Sequence, residues 1–371
     1  MTLLPVVTVP LSLVWEAVAR IRGWLFDRGV LKSESFACPV ICVGNLAVGG
    51  TGKTPHVEYV LRLLHAEGYR TAMLSRGYGR KTRGYLLADD THTAADIGDE
   101  PFQIRQNCPF ARVAVCEKRV TGIRRLLQMQ PAPDVIVLDD AYQHRYVKAG
   151  LNILLTDARR LYTHDHLLPW GRLREPASAA RRADVIVVTK CREEELPALP
   201  VEEGQTLCYS RICYAPLQPL GGGVGETVVA DAAHAGAAEN VFAGRRVLLV
   251  AGIANPAPLA EYIRAQGARS VEVLAFPDHH DFCAADAARI NRAWLQVCTG
   301  NREDEMPVAV TTQKDAVRIG TIWPHFGDAL KGWFYVQPIT VKFIEKENKS
   351  NIFNLKIQSY VRNNQRNSRV D

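Results

Sequence analysis

The residues with the clearest chemistry form a glycine-rich loop that ends in Gly-Lys-Thr. The loop consists of Ala47, Val48, Gly49, Gly50, Thr51, Gly52, Lys53 and Thr54. Glycines allow backbone N–H groups to turn toward phosphate oxygens, and the start of a following helix adds a partial positive charge. In such loops the lysine contacts the terminal phosphates of a nucleotide and the threonine hydroxyl binds Mg²⁺. We therefore predict that these residues bind a nucleoside triphosphate.

The flanking sequence supplies the elements that such a loop needs. An apolar run at 40–43 predicts a buried strand before the loop, and apolar residues recur at helical spacing from Val57 to Leu64 after it. Ala47 stands where the usual pattern begins with glycine, but Gly49 and Gly50 can supply positive φ angles. The alternative is a glycine-rich turn that carries a surface lysine.

A second strand ends in two acids. Four aliphatic residues at 135–138 precede Asp139 and Asp140. An acid at the carboxyl end of a neighbouring strand holds Mg²⁺ in P-loop proteins, directly or through water. A strand that ends in Asp is common, so this pattern indicates a metal site only together with Gly-Lys-Thr. We predict Thr54, Asp139 and Asp140 as the metal-binding residues.

Strands and helices alternate along most of the chain, which predicts an α/β fold. The pattern favours a P-loop NTPase-type doubly wound parallel sheet with a second, smaller α/β domain. The predicted segments are a membrane-interface helix (1–35), a P-loop nucleotide-binding domain (36–200), an extended two-strand linker (201–245), a smaller C-terminal α/β domain (246–341) and a basic polar tail (342–371). We expect the tail to be a strand remnant followed by a mobile segment.

Composition restricts the class of protein. The 371 residues carry a net charge of +6, which favours an anionic partner such as a nucleotide, a nucleic acid or an acidic lipid surface. The nine cysteines include no C-x-x-C pair, so neither a zinc site nor a disulfide framework is indicated. A reducing cytoplasm fits this cysteine usage.

The first 35 residues suggest contact with a membrane. From Leu11 to Lys32 apolar residues alternate with basic ones, and Trp15 and Trp24 suit a membrane interface. We expect Pro5 and Pro10 to prevent a long helix from starting earlier. A helix that lies on an anionic bilayer is one interpretation. A helix packed on the protein's own core is the other.

Three further segments carry polar groups that could act on a substrate. A loop at 75–83 holds four cations, and it either binds a substrate phosphate or forms a solvated hairpin. Asp99 precedes a predicted helix, where a carboxylate often serves only as a cap. The segment 277–282 holds two His and two Asp, for which a hydrogen-bonded His–Asp pair is a better interpretation than a metal site.

Other features of the sequence help to choose among the classes of P-loop proteins. A GTPase would have an Asp two positions after Lys190, where Arg192 stands, so guanine specificity is not indicated. A kinase fits better, because the chain has spare cationic loops and a second domain to hold an acceptor. A membrane-associated P-loop ATPase switch without a small-molecule acceptor is the main alternative. A nucleic-acid-binding ATPase is a weaker one, because no platform of interleaved aromatic residues accompanies the basic loops.

Several short motifs, taken together and in order, resemble the tetraacyldisaccharide 4'-kinase family of lipid A biosynthesis. They are 47–55, 75–80, Gly98-Asp99-Glu100-Pro101, Leu138-Asp139-Asp140 with Gln143-His144-Arg145, Leu173-Arg174-Glu175-Pro176, 276–279 and Lys314-Asp315-Ala316. The resemblance covers about residues 10 to 340. It implies transfer of phosphate from ATP, with Mg²⁺, to the 4'-hydroxyl of tetraacyldisaccharide 1-phosphate, which forms lipid IVA. It also implies a peripheral enzyme on the cytoplasmic face of the bacterial inner membrane, with no nucleic acid and no obligate protein partner.

The resemblance also implies residue roles. Asp99 and His279 would act together as the base that deprotonates the acceptor hydroxyl, with Lys53 as the catalytic cation, and His280 is the near alternative to His279. Because Asp99 and His279 fall in different predicted domains, we expect domain closure to assemble the site. Lys314 and Asp315 would contact the nucleotide. The implied substrate-binding residues are Arg76, Arg80, Gln143, His144, Arg174 and Glu175.

Overall fold

The computed structural model describes residues 4–221, 240–278, 280–299, 306–344 and 351–367, and side chains within 7–364 of these. The chain forms two compact units. The larger unit comprises Met1–Cys213 and Thr340–Asp371, and the smaller unit comprises Tyr214–Ile339. Each unit is built around its own β-sheet.

Among the described residues, the larger unit contains nine strands and the helices that cover them. Its strands are β1 (Val40–Asn45), β2 (Thr71–Ser75), β3 (Leu86–Leu87), β4 (Arg112–Val115), β5 (Val135–Asp139), β6 (Leu151–Asp157), β7 (Val185–Thr189), β8 (Thr206–Tyr214) and, near the C-terminus, β14 (Ile339–Phe343). Its α-helices are α1 (Leu4–Asp27), α2 (Lys53–Ala66), α3 (Ala94–Ile97), α4 (Asp99–Asn107), α5 (Arg119–Leu127) and α10 (Ile352–Asn367). Short 3₁₀ helices cover Tyr162–His164 and Ala177–Arg182.

The strand order of the larger sheet is β14-β8-β7-β6-β1-β5-β2-β4-β3. The pairs from β8 through β7, β6, β1, β5 and β2 to β4 are parallel, and β3 runs antiparallel to β4. Val40 and Cys42 pack into the core on one face, whereas Ile41 and Val43 pack into the core on the other. This two-sided burial explains why the strand is apolar throughout. The predicted doubly wound α/β fold is confirmed.

The sheet order determines which strand ends lie beside the glycine-rich loop. The loop follows β1, whose neighbours in the sheet are β5 and β6. The carboxyl ends of parallel strands lie at one edge, where ligands of open α/β sheets bind. The chain therefore brings the end of β5, with its two acids, next to the loop.

The N-terminal helix begins earlier than the two prolines led us to expect. It begins at Leu4 and ends at Asp27, with Pro10 inside it. A proline near a helix start removes only one backbone hydrogen bond, the one that its missing N–H would make to residue 6. The expectation that Pro10 prevents an earlier start was therefore wrong.

The C-terminal segment is ordered where the sequence predicted a mobile tail. Strand β14 joins the larger sheet, and α10 follows at Ile352–Asn367. Phe353, Ile357 and Val361 are fully buried in the same core as the apolar face of α2. These three residues recur every four positions, so one face of an otherwise polar helix is apolar. The prediction of a mobile tail is corrected for residues 351–367.

The smaller unit has a five-stranded sheet of order β11-β10-β12-β13-β9. Its strands are β9 (Gln218–Pro219), β10 (Arg246–Ala251), β11 (Ser270–Ala275), β12 (Val308–Thr312) and β13 (Phe334–Gln337), and its helices are α6 (Ala257–Ala265), α7 (Ala284–Cys298), α8 (Gln313–Ile319) and α9 (Asp328–Lys331), with a 3₁₀ helix at Gly320–His325. Strand β9 runs antiparallel to β13, and the other described pairs are parallel. Of the two strands predicted as a linker, β8 belongs to the larger sheet and β9 to the smaller one.

Candidate active site

The first part of the glycine-rich loop is hydrogen-bonded to the segment 172–174 of the larger unit. Val48 donates its N–H to the Arg172 carbonyl at 2.8 Å, and Arg174 donates its N–H to the Leu46 carbonyl at 2.7 Å. Gly49 and Gly52 have φ angles of 111° and 83°. These angles are strained for any residue with a Cβ, so glycine is required at both positions. The loop then enters α2 at Lys53.

The apex of the loop presents unused N–H groups. Those of Gly52 and Lys53 donate to no acceptor in the described ranges. They lie at the start of α2, a helix of 14 residues, where the helix dipole also favours an anion. The Lys53 side chain is only 9% exposed, and its Nζ lies 3.8 Å from Asp140 Oδ1. The geometry is that of a phosphate-binding loop.

The two acids at the end of β5 have different surroundings. Asp139 is completely buried, and its Oδ1 has no hydrogen-bond partner within the described structure. Burial raises the pKa of Asp139, and the charges of Glu100 and Asp140 raise it further. An unpaired carboxylate in the interior is unfavourable unless a cation lies beside it. The charges of Lys53 and Arg119 act on Asp139, but its Oδ1 accepts no hydrogen bond from the described residues and is suited to binding a cation.

Asp140 forms ion pairs with two cations beside the loop, Lys53 and Arg174. It follows β5 with a φ angle of 46°, in the left-handed region that non-glycine residues rarely adopt. Arg174 Nη1 lies 3.1 Å from both carboxylate oxygens of Asp140. Together with Lys53, Arg174 places two cations around one carboxylate beside the loop. Such a cluster can bind an anionic phosphoryl group.

Arg119 is a functional candidate that the sequence analysis missed. It starts α5, is 2% exposed, and its Nη1 donates to the Cys116 carbonyl at 2.9 Å. Its charge interacts with those of Asp139 and Asp140. In the sequence it was one of several basic residues of a helix, and only the folded sheet brings it beside the acids. Glu100, whose charge acts on Asp139, was missed for the same reason.

Arg76 and His144 lie in the same cationic region. His144 is partly buried, and burial together with the charges of Arg119, Arg22 and Arg76 lowers its pKa to about 4. His144 is therefore neutral near pH 7. Arg76 is exposed and forms no ion pair within the described part of the chain. Both side chains are available to an anionic ligand.

Three of the predicted substrate-binding residues have internal structural partners. Arg80 is 3% exposed and pairs with Glu117 at 2.5 Å. Gln143 donates its amide to the Asn45 carbonyl at 2.8 Å. Glu175 is 7% exposed and pairs with Arg182 at 2.5 Å. Arg80 and Glu175 thus each pair with an opposite charge of the fold, while Arg80 Nε and Nη1 have no hydrogen-bond partner within the described structure. Their role in substrate binding stays a prediction.

Asp99 occupies the first turn of α4, directly after Gly98. Gly98 has a φ angle of 91°, and a Cβ at that position would come within 2.9 Å of the Tyr78 carbonyl oxygen. The Asp99 side chain is half-buried. Gly98 is the N-cap of α4, so Asp99 lies in the first turn, where its charge favours the helix N-terminus; this position is compatible with a catalytic role as well.

The histidine segment of the smaller unit is only partly described. The predicted catalytic His279 lies outside the described residues. His280 Nε2 lies 2.9 Å from Asp286 Oδ2 at the start of α7, and its ring contacts Phe276 and Phe282. Among the described residues, His280 pairs with Asp286, which lies outside the segment 277–282 for which the His–Asp pair was predicted. The catalytic role of His279, with His280 as the near alternative, stays a prediction.

The two residues predicted to contact nucleotide from the smaller unit are in different environments. Lys314 Nζ donates to Asp278 Oδ1 at 2.8 Å and is partly exposed. Asp315 is completely buried, where its Oδ2 accepts from the Gly252 N–H at 2.9 Å and from Thr312 Oγ1 at 2.8 Å. The Asp315 side chain has no exposed surface with which to contact a nucleotide, which corrects that prediction.

The carboxylates at the end of β5 show whether this site can bind Mg²⁺. No group of three His, Cys, Asp or Glu side chains in the described ranges is arranged to hold a metal ion. Mg²⁺ is typically bound by one or two carboxylates together with water and substrate phosphates, so a full protein ligand set is not required. The unpartnered, buried Asp139 Oδ1 and the nearby Asp140 fit that requirement.

A phosphate-binding loop between β1 and α2, with acids at the end of the adjacent β5, defines a P-loop nucleotide-binding protein. The family profile described as Tetraacyldisaccharide-1-P 4'-kinase matches residues 4–358. A tetraacyldisaccharide 4'-kinase of Parabacteroides distasonis is 46% identical over 344 residues, which cover 90% of this chain and 89% of that protein. The same enzyme of Bacteroides thetaiotaomicron is 42% identical, with coverage of 97% and 94%.

A solved structure agrees with these sequence matches. The crystal structure of the "apo" form of LpxK from Aquifex aeolicus in complex with ATP superposes with a TM-score of 0.69 and 28% identity. The superposition covers 95% of this chain and 98% of that one. The chain belongs to the tetraacyldisaccharide 4'-kinase family, and it is a kinase that phosphorylates a hydroxyl group.

Proposed function

We propose that the protein transfers the γ-phosphoryl group of ATP, with Mg²⁺, to the 4'-hydroxyl of tetraacyldisaccharide 1-phosphate, forming lipid IVA. The observation that carries the proposal is the free N–H apex at the start of α2, beside Lys53 and the Asp139–Asp140 pair. Membership of the family supports the acceptor, and the ATP complex of the Aquifex aeolicus protein supports the donor.

The nucleotide is bound mainly by the loop. The Gly52 and Lys53 N–H groups donate to its phosphate oxygens, and Lys53 neutralises charge on the phosphoryl group that moves. Thr54, Asp139 and Asp140 would hold Mg²⁺, which would supply positive charge that neutralises the phosphates. Asp139 Oδ1, which accepts no hydrogen bond within the described structure, would be available to it.

The acceptor needs a base and an anion-binding surface. Asp99 and His279 together remove the proton from the 4'-hydroxyl as it attacks, with the carboxylate orienting and stabilising the charged imidazole. Arg76, His144 and Arg174 contact anionic groups of the substrates. Neutral His144 can donate or accept a hydrogen bond without adding charge to a region that already holds several arginines.

Phosphoryl transfer is tested with two matched lysine variants. Lys53→Met removes the cation beside the loop, whereas Lys331→Met removes a partly exposed lysine that pairs with the exposed Asp328 in the smaller unit. Lys53→Met should lower transfer from γ-labelled ATP to the lipid acceptor by about 100-fold or more, because it removes charge stabilisation of the transition state. Lys331→Met should match the wild type. Equal transfer by both variants would contradict the proposed role of the loop.

The N-terminal helix supports binding to an anionic membrane surface at the cytoplasmic face of the inner membrane. No helix in the described ranges is both long and apolar enough to cross a bilayer. One face of α1 is held to the larger unit by polar contacts, among them Ser12 Oγ to the Leu167 carbonyl at 3.0 Å and Trp15 Nε1 to the Arg174 carbonyl at 3.0 Å.

The opposite face of α1 carries a continuous apolar stripe. Its members follow the spacing of a helix that lies along an interface, and each is more than half exposed: Val7, Leu11, Val14, Val18 and Ile21. Trp24 is also 52% exposed, and the Arg28 guanidinium lies over its ring. An apolar stripe with an interfacial tryptophan and arginine favours a lipid surface over water.

Vesicle binding tests the stripe. Val14→Glu with Val18→Glu should weaken binding to phosphatidylglycerol vesicles about 10-fold or more, because two charges enter the apolar stripe. The control carries the same changes on an exposed part of the smaller unit, Val273→Glu with Leu295→Glu. Equal vesicle binding by the two double variants would contradict the membrane proposal while leaving phosphoryl transfer untouched.

A further inference from the structure

Three consecutive carbonyl groups of the phosphate-binding loop accept hydrogen bonds from side chains that lie outside the loop. The donors are Lys190, Thr189 and His56, and the acceptors are the carbonyls of Gly50, Thr51 and Gly52, respectively. We call these three side chains the carbonyl clamp. Two of them come from the end of β7, and the third comes from α2.

The clamp determines where the loop's N–H groups point. In a trans peptide the carbonyl of one residue and the N–H of the next point in opposite directions. Holding the Thr51 and Gly52 carbonyls therefore directs the N–H groups of Gly52 and Lys53 the other way. These are the N–H groups without an acceptor in the described structure. Thr189 and His56 thus orient the groups proposed to bind phosphate before any phosphate is present. Lys190 fixes the preceding peptide, whose Thr51 N–H donates to the Gly49 carbonyl at 3.0 Å.

Lys190 is held in an unusual conformation for this contact. Its φ angle of 59° lies in the left-handed region, which costs free energy in a residue other than glycine. Its Nζ donates to the Gly50 carbonyl and also to Asp157 Oδ2 at 2.8 Å. Asp157 ends β6, the strand beside β1, so Lys190 connects the loop to the sheet.

Thr189 and His56 are buried and have defined roles as donors. Thr189 is completely buried, with Oγ1 at 2.9 Å from the Thr51 carbonyl oxygen and 3.2 Å from the Thr156 carbonyl oxygen. His56 Nδ1 lies 2.7 Å from the Gly52 carbonyl oxygen, and Nε2 lies 2.9 Å from Ser210 Oγ. A carbonyl can only accept, so Nδ1 carries the hydrogen and donates.

We propose that Lys190 is a positioning residue that, with Thr189 and His56, holds the phosphate-binding loop in its nucleotide-binding conformation. This inference rests on the proposed binding of ATP by the loop. Lys190 acts through the backbone of Gly50 rather than on the reacting atoms. Its loss should therefore weaken nucleotide binding and leave the use of the lipid acceptor unchanged.

The test compares Lys190→Met with Lys331→Met in the full chain. Lys190→Met should raise the Kd of Mg-ATP, measured by calorimetry, and the KM for ATP by about tenfold or more, because the loop must then be ordered on binding. The KM for the lipid acceptor should stay within about twofold. Thr189→Val should shift the same ATP constants, and the double variant should cost less than the two single effects combined, because both residues hold one loop.

The pattern of changed constants identifies the role of Lys190. A merely structural role would lower the thermal stability of Lys190→Met and leave both KM values of the folded enzyme unchanged, which overturns the inference. Equal rises in the KM for ATP and for the acceptor would also overturn it. If the wild type fails to bind Mg-ATP, the proposed function and the clamp are both overturned. If the wild type binds Mg-ATP and the variants give one of the two results above, only the inference about the clamp is overturned.

Discussion

Phe353 in α10 provides the sharpest test of how far the folded larger unit extends. It is 1% exposed, its ring stacks on Phe343 of β14 at 4.1 Å between centroids, and Tyr59 of α2 lies 5.9 Å away. Phe353→Ala removes a fully buried ring from this core. Losses of this kind cost about 3 to 5 kcal/mol, because a cavity remains in addition to the lost apolar burial. We expect about 4 kcal/mol.

The matched control lies two residues away on the same helix. Leu355 is 47% exposed, so Leu355→Ala should change the free energy of unfolding by about 0.5 kcal/mol or less. Both variants keep the length and nearly the same helix propensity of α10. A difference between them therefore reports packing of the buried face.

Amide hydrogen exchange is the appropriate assay, because two compact units need not unfold together. In the wild type the amides of α10 should be protected. Phe353→Ala should speed their exchange by about 1000-fold, the equivalent of about 4 kcal/mol, while α6 of the smaller unit serves as an internal reference. Unprotected α10 amides in the wild type, or equal exchange in the two variants, would refute the packing described for α10.

Two further predictions concern buried carboxylates. Asp139→Asn should lower phosphoryl transfer by about 100-fold or more. It should also raise the melting temperature measured without Mg²⁺, because a neutral amide replaces a completely buried carboxylate whose Oδ1 accepts no hydrogen bond from the described part of the chain; a lower melting temperature would contradict the burial argument. Glu58 is buried, and burial raises its pKa even though Asn107 and Gln103 donate to it. A raised carboxyl pKa means that the folded state binds the proton more tightly, so this group's contribution to stability falls as pH rises through and above 4.5. Glu58→Gln should therefore lose less stability than the wild type between about pH 4 and pH 7 in urea denaturation, and an equal loss would count against it.

The sequence alone predicted the parts of the fold and of the site whose residues lie close together in the chain. The strand, the glycine turn and the helix of the loop are contiguous, so their pattern predicts both the element types and the phosphate site. The acids that end β5 were predicted because a strand pattern also fixes where the strand ends. Both predictions depend on interactions between residues that are neighbours in the sequence, so one sequence is enough to make them.

The parts that the sequence left open depend on contacts between distant segments. Nothing in the sequence indicates that Arg80 pairs with Glu117 or that Glu175 pairs with Arg182. Lys190 was noted only for its place in a missing GTPase motif, whereas the structure places its Nζ on the Gly50 carbonyl, 140 residues away. Patterns of residue types along the sequence cannot predict such contacts between distant residues.

The C-terminal helix was missed although its residues are close together in the sequence. Its polar and basic composition favoured a mobile tail, because composition averages over all faces of a helix. Phe353, Ile357 and Val361 form one apolar face that only a helical period reveals. A search for that period would have predicted a helix at 352–367.

The most direct test of the proposed function measures the product of the wild type and of Asp99→Ala with γ-labelled ATP, Mg²⁺ and tetraacyldisaccharide 1-phosphate. We predict labelled lipid with the new phosphate on the 4'-hydroxyl, formed about 100-fold or more slowly by the variant, because the attacking hydroxyl loses its base. Undiminished transfer by Asp99→Ala would return Asp99 to the role of a helix cap. Hydrolysis of ATP without labelled lipid in the wild type would contradict the central claim and favour an ATPase switch.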